Sequence, residues 1–186
     1  MEKSEAEALL TRIAEDDSNA FRLFYDIFYP QVYKFASYYI KTPILREEIV
    51  SDVFFSIWQN RKKNTKIKDI KAYIYIVTKN KALSYLDSAS KLNFSSIEDS
   101  PIDLFSQNET PEDVIIDEEL SKAVENAINT LPERCKLIFL MAREHGLKYK
   151  EIAEILSISE KTVNAQMVLA IRKMTLLLNR FFLFFF

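Results

Sequence analysis

Five lysines and three tyrosines share one short stretch of the chain: Lys66, Lys68, Lys71, Lys79 and Lys81 are interleaved with Tyr73, Tyr75 and Tyr85. Ammonium groups hold phosphate and phenol rings give bases a surface to stack on, which together suit a single nucleic-acid strand. A lysine-rich solvated face is the plainer alternative. A second set lies further on. Glu160, Lys161, Thr162, Asn164, Ala165, Gln166 and Leu169 stand on the far side of a segment whose Val163, Met167 and Ala170 recur at helical spacing. A third set is acidic. Glu47, Glu48, Ser51, Asp52 and Phe55 share one side of the stretch from Ile44 to Asn60, opposite Leu45, Ile49, Val53, Ile57 and Trp58. An acidic helix face bearing an exposed ring fits docking to a basic partner, with the aromatic as anchor. A solvated charged face is again the alternative.

These sets need elements to hold them. Ile152, Ala153 and Leu156 carry the helical period just before the second set, and Ser157-Ile158-Ser159 interrupts it. Ser159 is a good N-cap, because its hydroxyl can accept from an unpaired amide two or three residues on. Ile158 before it can pack inward as a staple. Tyr149 to Lys173 therefore reads as a helix-turn-helix, a geometry that sets the start of the second helix in a major groove. The spacing equally describes a helical hairpin in an all-α core. Earlier, residues 5–16 predict a short helix with Leu9, Leu10 and Ile13 inward. Phe21, Phe24, Tyr25, Phe28, Val32, Phe35 and Tyr39 repeat at helical spacing as core. Pro30 is expected at a junction of two helices or in the first turn of the second, and Thr42-Pro43 ends the pattern.

Arg61 to Lys71 reads as a basic loop. Ala72 to Leu86 reads as a helix that buries Ile76, the Lys79 stem or Asn80, and Leu83, with Tyr73 near its start. From Leu92 to Ser121 there are nine acids, no Lys or Arg, and two prolines, the composition of a linker. A helix follows from about 112 to 129, and another from Leu131-Pro132, with Cys135, Ile138 and Phe139 on its apolar side. Gly146 stands where that helix should end in the left-handed conformation. His145 is expected at the surface or as a cap.

With one glycine in 186 residues, the chain is poor in tight hairpins, so an all-α fold is expected. One cysteine and one histidine leave little to bind a transition metal and suit a reducing cytoplasm. The acidic N-terminus is unlike a signal peptide, and no run of eighteen apolar residues suggests a membrane span. Net charge is only −2, but it is unevenly spread: residues 1–58 carry −4, 59–91 carry +7, 92–144 carry −8 and 145–186 carry +3. Basic zones attract phosphate, and acidic ones seek a basic protein surface. Neither basic zone holds the clustered carboxylates or activated nucleophile that a nuclease or recombinase needs. No catalytic residue, cofactor, metal or small-molecule substrate is expected.

In this order the segments resemble a bacterial RNA polymerase sigma factor of the extracytoplasmic function class. FRLFYDIFYPQVYKFA, REEIVSDVFFSIW and IKAYIYIVTKNKALSYL are similar to region 2, and LPERCKLIFLM with GLKYKEIAEILSISEKTV to region 4. The resemblance implies two small helical domains: region 2 over 1–90 and region 4 over 112–180, with a flexible acidic linker at 91–111 and an apolar tail at 181–186. It implies a non-enzymatic, cytoplasmic promoter-specificity subunit that binds core RNA polymerase and reads −10 and −35 promoter DNA. It further implies an anti-sigma factor, membrane-anchored in such systems. Glu48, Ser51, Asp52 and Phe55 then correspond to the segment that docks on the polymerase clamp. Lys66, Lys68, Lys71, Tyr73, Lys79 and Asn80 correspond to the surface that captures the melted −10 strand, with the loop 61–68 shaping a pocket for an extruded base. Asn164 and Gln166, amides suited to adenine edges, correspond to −35 readers, and Lys148, Lys161 and Thr162 to phosphate contacts. An ordinary helix-turn-helix regulator, binding its operator as a free protein, is the alternative.

The chain departs from the family at several positions. Lys79 and Asp87 stand where arginine is common, Asp87-Ser88-Ala89-Ser90 where a basic run is common, Ser157 where the turn usually has glycine, and Leu169 where a polar residue is frequent. These departures weaken affinity for free DNA and fit a protein delivered to promoters by the polymerase. The tail Leu176–Phe186, LLLNRFFLFFF, is expected to pack back on region 4, with self-association as its hazard.

Overall fold

The computed structural model describes residues 3–92 and 117–185. The described residues form nine helices and no strand, so the all-α expectation holds. The chain divides into two compact units, Met1–Ser106 and Gln107–Phe186. The expected linker at 91–111 lies outside the described residues, apart from the helix end at Lys91 and Leu92.

The first unit contains α1 (Lys3–Ala14), α2 (Ser18–Ser37), α3 (Pro43–Gln59), α4 (Arg61–Asn64) and α5 (Ile70–Leu92). Asp17 caps α2, its Oδ1 accepting from the amides of Asn19 and Ala20 at 2.9 and 3.0 Å. Those bonds and the Arg12 guanidinium hold the Asp17 carboxyl below its usual range. Thr42-Pro43 breaks the pattern as expected, and Pro43 itself opens α3 one residue before the expected start, in the first turn, where its missing N–H costs nothing. Pro30 does not divide two helices. It lies inside α2, on its exposed side. Proline there forfeits one hydrogen bond and crowds the preceding turn. The helix continues because Phe24 and Phe28 before it, and Val32 and Phe35 after it, are all buried on one face. Burial of such a side chain stabilises by about 1.5–3 kcal/mol, so four of them outweigh one proline.

Packed against α2 are α1, α3 and α5. The core they share includes Leu10 and Ile13 of α1, Ile49, Val53, Phe54 and Ile57 of α3, and Ile74, Tyr75 and Ala82 of α5. The inward side of α5 is therefore not the expected one. Ile76 is half-buried, Asn80 is exposed and Leu83 is 45% exposed. Tyr75, expected with the stacking rings, is 1% exposed and packs edge-on against Phe35 at 4.8 Å. The cause is competition for one face: Ile70, Ile74, Thr78 and Ala82 at four-residue spacing give α5 a buried seam that packs against α2 and α3.

Arg46, another residue the apolar pattern passes over, is 3% exposed. Its guanidinium donates to the carbonyls of Ile40, at 2.7 Å, and Lys41, and lies over the Tyr33 ring. It thereby satisfies orphan carbonyls after α2 and ties that end to the start of α3.

The second unit contains α6 (Asp117–Asn129), α7 (Glu133–Arg143), α8 (Tyr149–Leu156) and α9 (Glu160–Phe185). The expected start of α6 near residue 112 lies outside the described residues. Cys135, Ile138, Met141, Ile152, Ile155, Val163, Met167 and Ala170 make its core. Gly146 has φ +59, as expected, and is exposed. The turn there folds His145 and Leu147 inward on either side, so His145 is 6% exposed and not at the surface. α9 continues as helix to Phe185. Leu176 and Leu177 are 63% and 38% exposed, so they do not pack back as expected, and the side chains from 180 onward lie outside the described residues. No helix of the described residues is long and apolar enough to cross a membrane.

Candidate functional site

Three surfaces carry the candidate residues. On α3, Glu48, Ser51 and Asp52 are exposed, and Phe55 is 59% exposed. A phenyl ring held that far into water on a well-packed helix has the character of a docking anchor. Tyr29 and Tyr25 of α2 border the same helix. The Tyr29 hydroxyl donates to Glu47 at 2.7 Å, and this bond pushes its pKa up to about 12.

The basic stretch is more structured than a loop. Arg61 to Asn64 form α4, and Asn64 is 2% exposed with its Nδ2 donating to the Ile57 carbonyl at 2.9 Å. Arg61 pairs with Asp16 and lies 4.8 Å over the Trp58 ring, so it serves the fold. Lys66 and Lys68 are exposed, Lys71, Tyr73 and Lys79 are half-buried, and Asn80 is exposed. These residues give phosphate donors and one accessible ring near the start of α5.

Two of the three sets converge where sequence spacing gave no sign of it. A groove of about 550 Å³ runs between α3 and α5, with Glu48 and Asp52 on one wall and Asn80 and Lys81 on the other. Lys81 Nζ lies 3.2 Å from Asp52 Oδ2 across it. A residue expected at the docking face thus touches the helix expected to hold the strand. The two positions are 29 apart in sequence, so no periodicity could have revealed the pair.

In the second unit the turn between α8 and α9 is built as its residues require. Ser157 ends α8 at φ 55, ψ 47, the left-handed conformation that glycine usually supplies. Ser159 caps α9, accepting the Thr162 amide at 3.0 Å. The Ser159 and Thr162 hydroxyls also share a 2.7 Å hydrogen bond. Glu151 accepts the Lys148 amide at 2.7 Å and so closes the start of α8, leaving the Lys148 side chain exposed.

Asn164 and Gln166 do not share a side of α9. Residues two positions apart in a helix point about 200° apart. Asn164 is exposed together with Lys161, Ala165, Val168 and Arg172. Gln166 is half-buried on the flank toward α7, where its carbonyl accepts from the Cys135 thiol at 3.2 Å. Burial raises the Cys135 pKa, so the thiol stays neutral and acts as a small core residue. Val168, which sequence reasoning did not name, stands about 40° from Asn164 on the same exposed side of α9. Among the described residues no three His, Cys, Asp or Glu side chains cluster as a metal site would require.

Residues 24–92 match the family sigma-70 region 2, and residues 121–174 match sigma-70 region 4. One similar protein is the ECF RNA polymerase sigma factor SigK of Mycolicibacterium vanbaalenii, 23% identical over 175 residues that span 91% of this chain and 89% of that protein. Among solved structures, CnrH in complex with the cytosolic domain of CnrY has a TM-score of 0.61 at 17% identity, covering 95% of this chain and 98% of that one. The sigma factor RpoE, bound to the anti-sigma factor NepR from Bartonella quintana, has a TM-score of 0.61 at 16% identity, covering 86% and 96%. At such identities the structural likeness speaks for the fold.

Proposed function

The chain belongs to the sigma-70 family, and from that premise we propose how its two units divide the work of a promoter-specificity subunit. Such a subunit binds core RNA polymerase, recognises promoter elements and starts transcription. The polymerase makes the bonds and the sigma chain supplies the address, so it works as a non-enzymatic partner in the cytoplasm. One observation carries this reading. Regions 2 and 4 occur in order on one chain with only 28 residues between the two matches, fewer than a further domain usually needs to fold alone. That two-region plan and the SigK relative support the extracytoplasmic function class.

In the first unit, Glu48, Ser51, Asp52 and Phe55 dock on a basic surface of the polymerase. Lys66, Lys68, Lys71 and Lys79 hold the phosphates of the melted −10 strand, Tyr73 stacks at the edge of the bubble and Asn80 gives a polar contact. Extruding a base costs a few kcal/mol of unstacking, which a pocket and phosphate contacts can offset.

In the second unit, α9 enters the major groove of the −35 element. Asn164 supports readout best, because its amide is exposed on the outward side and can pair with an adenine edge. Ala165 and Val168 beside it suit thymine methyl groups. Lys148 and Lys161 hold phosphate. Thr162 contributes through the cap it shares with Ser159, and Gln166 reaches the DNA only from the flank. The anti-sigma complexes formed by the structural neighbours support a partner of that kind here, membrane-anchored in the family's usual arrangement.

Run-off transcription with purified core polymerase tests the reading. Adding the chain should produce promoter-dependent transcripts from a library of native promoters. Tight, specific operator binding by the free chain, with no binding to core and no transcript, would favour an ordinary helix-turn-helix regulator.

A further inference from the structure

We propose that the Asp52–Lys81 ion pair couples polymerase docking to DNA-strand binding, with Lys81 as the positioning residue that links the two surfaces. The inference rests on the roles proposed above for α3 and α5. Lys81 Nζ and Asp52 Oδ2 are 3.2 Å apart, and they bridge the groove between the docking helix and the strand-binding helix. Their side chains are 39% and 56% exposed, so each is within reach of an outside partner.

Each member of the pair is the other's counter-charge, and each has the charge that one of the two large partners would take. A basic group on the polymerase that engages Asp52 releases the Lys81 ammonium. That ammonium then meets DNA phosphate without first giving up a carboxylate. Conversely, a phosphate that takes Lys81 releases Asp52 for the polymerase. In the free chain the pair masks both surfaces slightly. Once one partner is bound, the second no longer has to break the pair. The coupling is positive, and by linkage it has the same size in both directions. Because the pair is exposed, it sets a ceiling of about two- to fivefold at low salt, declining as salt screens the charges. Lys81 stands one residue from Asn80 and faces the same groove, so the freed ammonium is already beside the strand-binding surface.

A double-mutant cycle on the full chain tests this. Lys81→Met should tighten binding to purified core polymerase about two- to fivefold, since Asp52 is then free. Lys81→Arg, which keeps the pair, should bind as the unchanged chain does. In an Asp52→Asn background Lys81→Met should have no further effect, whereas a general charge effect of Lys81 would persist. The second arm needs no polymerase. Asp52→Asn should tighten binding to a labelled, mixed-sequence single strand of roughly 20 nucleotides. Glu47→Gln, which removes an equal charge from the same helix, should tighten it less. Linkage is reciprocal, so failure of either arm overturns the coupling. If the unchanged chain does not bind core at all, the proposed function fails, and the single-strand arm alone decides the ion pair.

Discussion

The Cys135 thiol donates to the main-chain carbonyl of Gln166 at 3.2 Å, which sets Gln166 beside α7, while burial of Val163, Met167 and Ala170 turns the opposite side of α9 outward. With Gln166 held on the flank toward α7, Asn164 stands about 200° away on the exposed side. Asn164→Ala should therefore cost about 1–3 kcal/mol of base preference at one −35 position, the worth of a bidentate pair. Gln166→Ala should cost clearly less. Selection of −35 variants with each reconstituted holoenzyme measures this. A larger loss for Gln166→Ala would move the reading face to the flank.

Phe55 should separate docking from folding. Its ring is 59% exposed, so Phe55→Ala should leave thermal stability within about 0.5 kcal/mol. Core polymerase binding should weaken by about 2 kcal/mol or more if the ring is the anchor. Affinity measured beside a melting curve checks both halves. Unchanged affinity would place the docking face elsewhere.

The two left-handed residues of the second unit should respond oppositely. Ser157 has φ 55 and bears a side chain, so Ser157→Gly should relieve strain and stabilise by about 0.5–1 kcal/mol. Gly146 has φ +59, and a methyl there would meet nothing within 4 Å. Gly146→Ala should still destabilise by about 1 kcal/mol, because the penalty lies in the backbone and not in crowding. Chemical denaturation of the full chain, following the second unit, tests the pair of signs.

Tyr29 should make the first unit sensitive to alkali. Its bond to Glu47 raises the folded pKa from 10.0 to about 12. A raised pKa means that the unfolded chain loses this proton first. The stabilisation is present in full below pH 10 and is lost as pH rises toward 12. Tyr29→Phe should remove part of that dependence, while Tyr39 and Tyr75, raised by burial, still contribute. Melting temperatures across that window, for both chains, measure the difference.

Much of this fold was legible because helices are local. The three- and four-residue recurrence of Ile49, Val53 and Ile57, or of Val163, Met167 and Ala170, is a property of neighbouring residues, and these residues are buried as expected. Caps are equally local. Ser159, Gly146 and Thr42-Pro43 end or start helices where their backbone chemistry says they should. The single glycine favoured helices over hairpins, and the described residues form helices and no strand.

Tertiary packing decided what periodicity leaves open. α5 has apolar residues on several sides, so its own pattern could not say which would turn inward. The close approach of α2 and α3 chose Ile74, Tyr75 and Ala82, turning one expected stacking ring into core. Pro30 reads locally as a break, yet burial on both sides of it carries α2 through. Arg46 and Asn64 are polar yet buried where backbone carbonyls meet them, and His145, expected at the surface or as a cap, is buried where a turn folds it in. Asp52 and Lys81 find each other across 29 residues, a distance no local pattern spans. Sequence by itself determined most of the helices and what charge they carry, though not α4 or the passage of α2 through Pro30. Only the folded chain decided which side each helix shows and which charges are already paired, because those depend on neighbours brought together by burial.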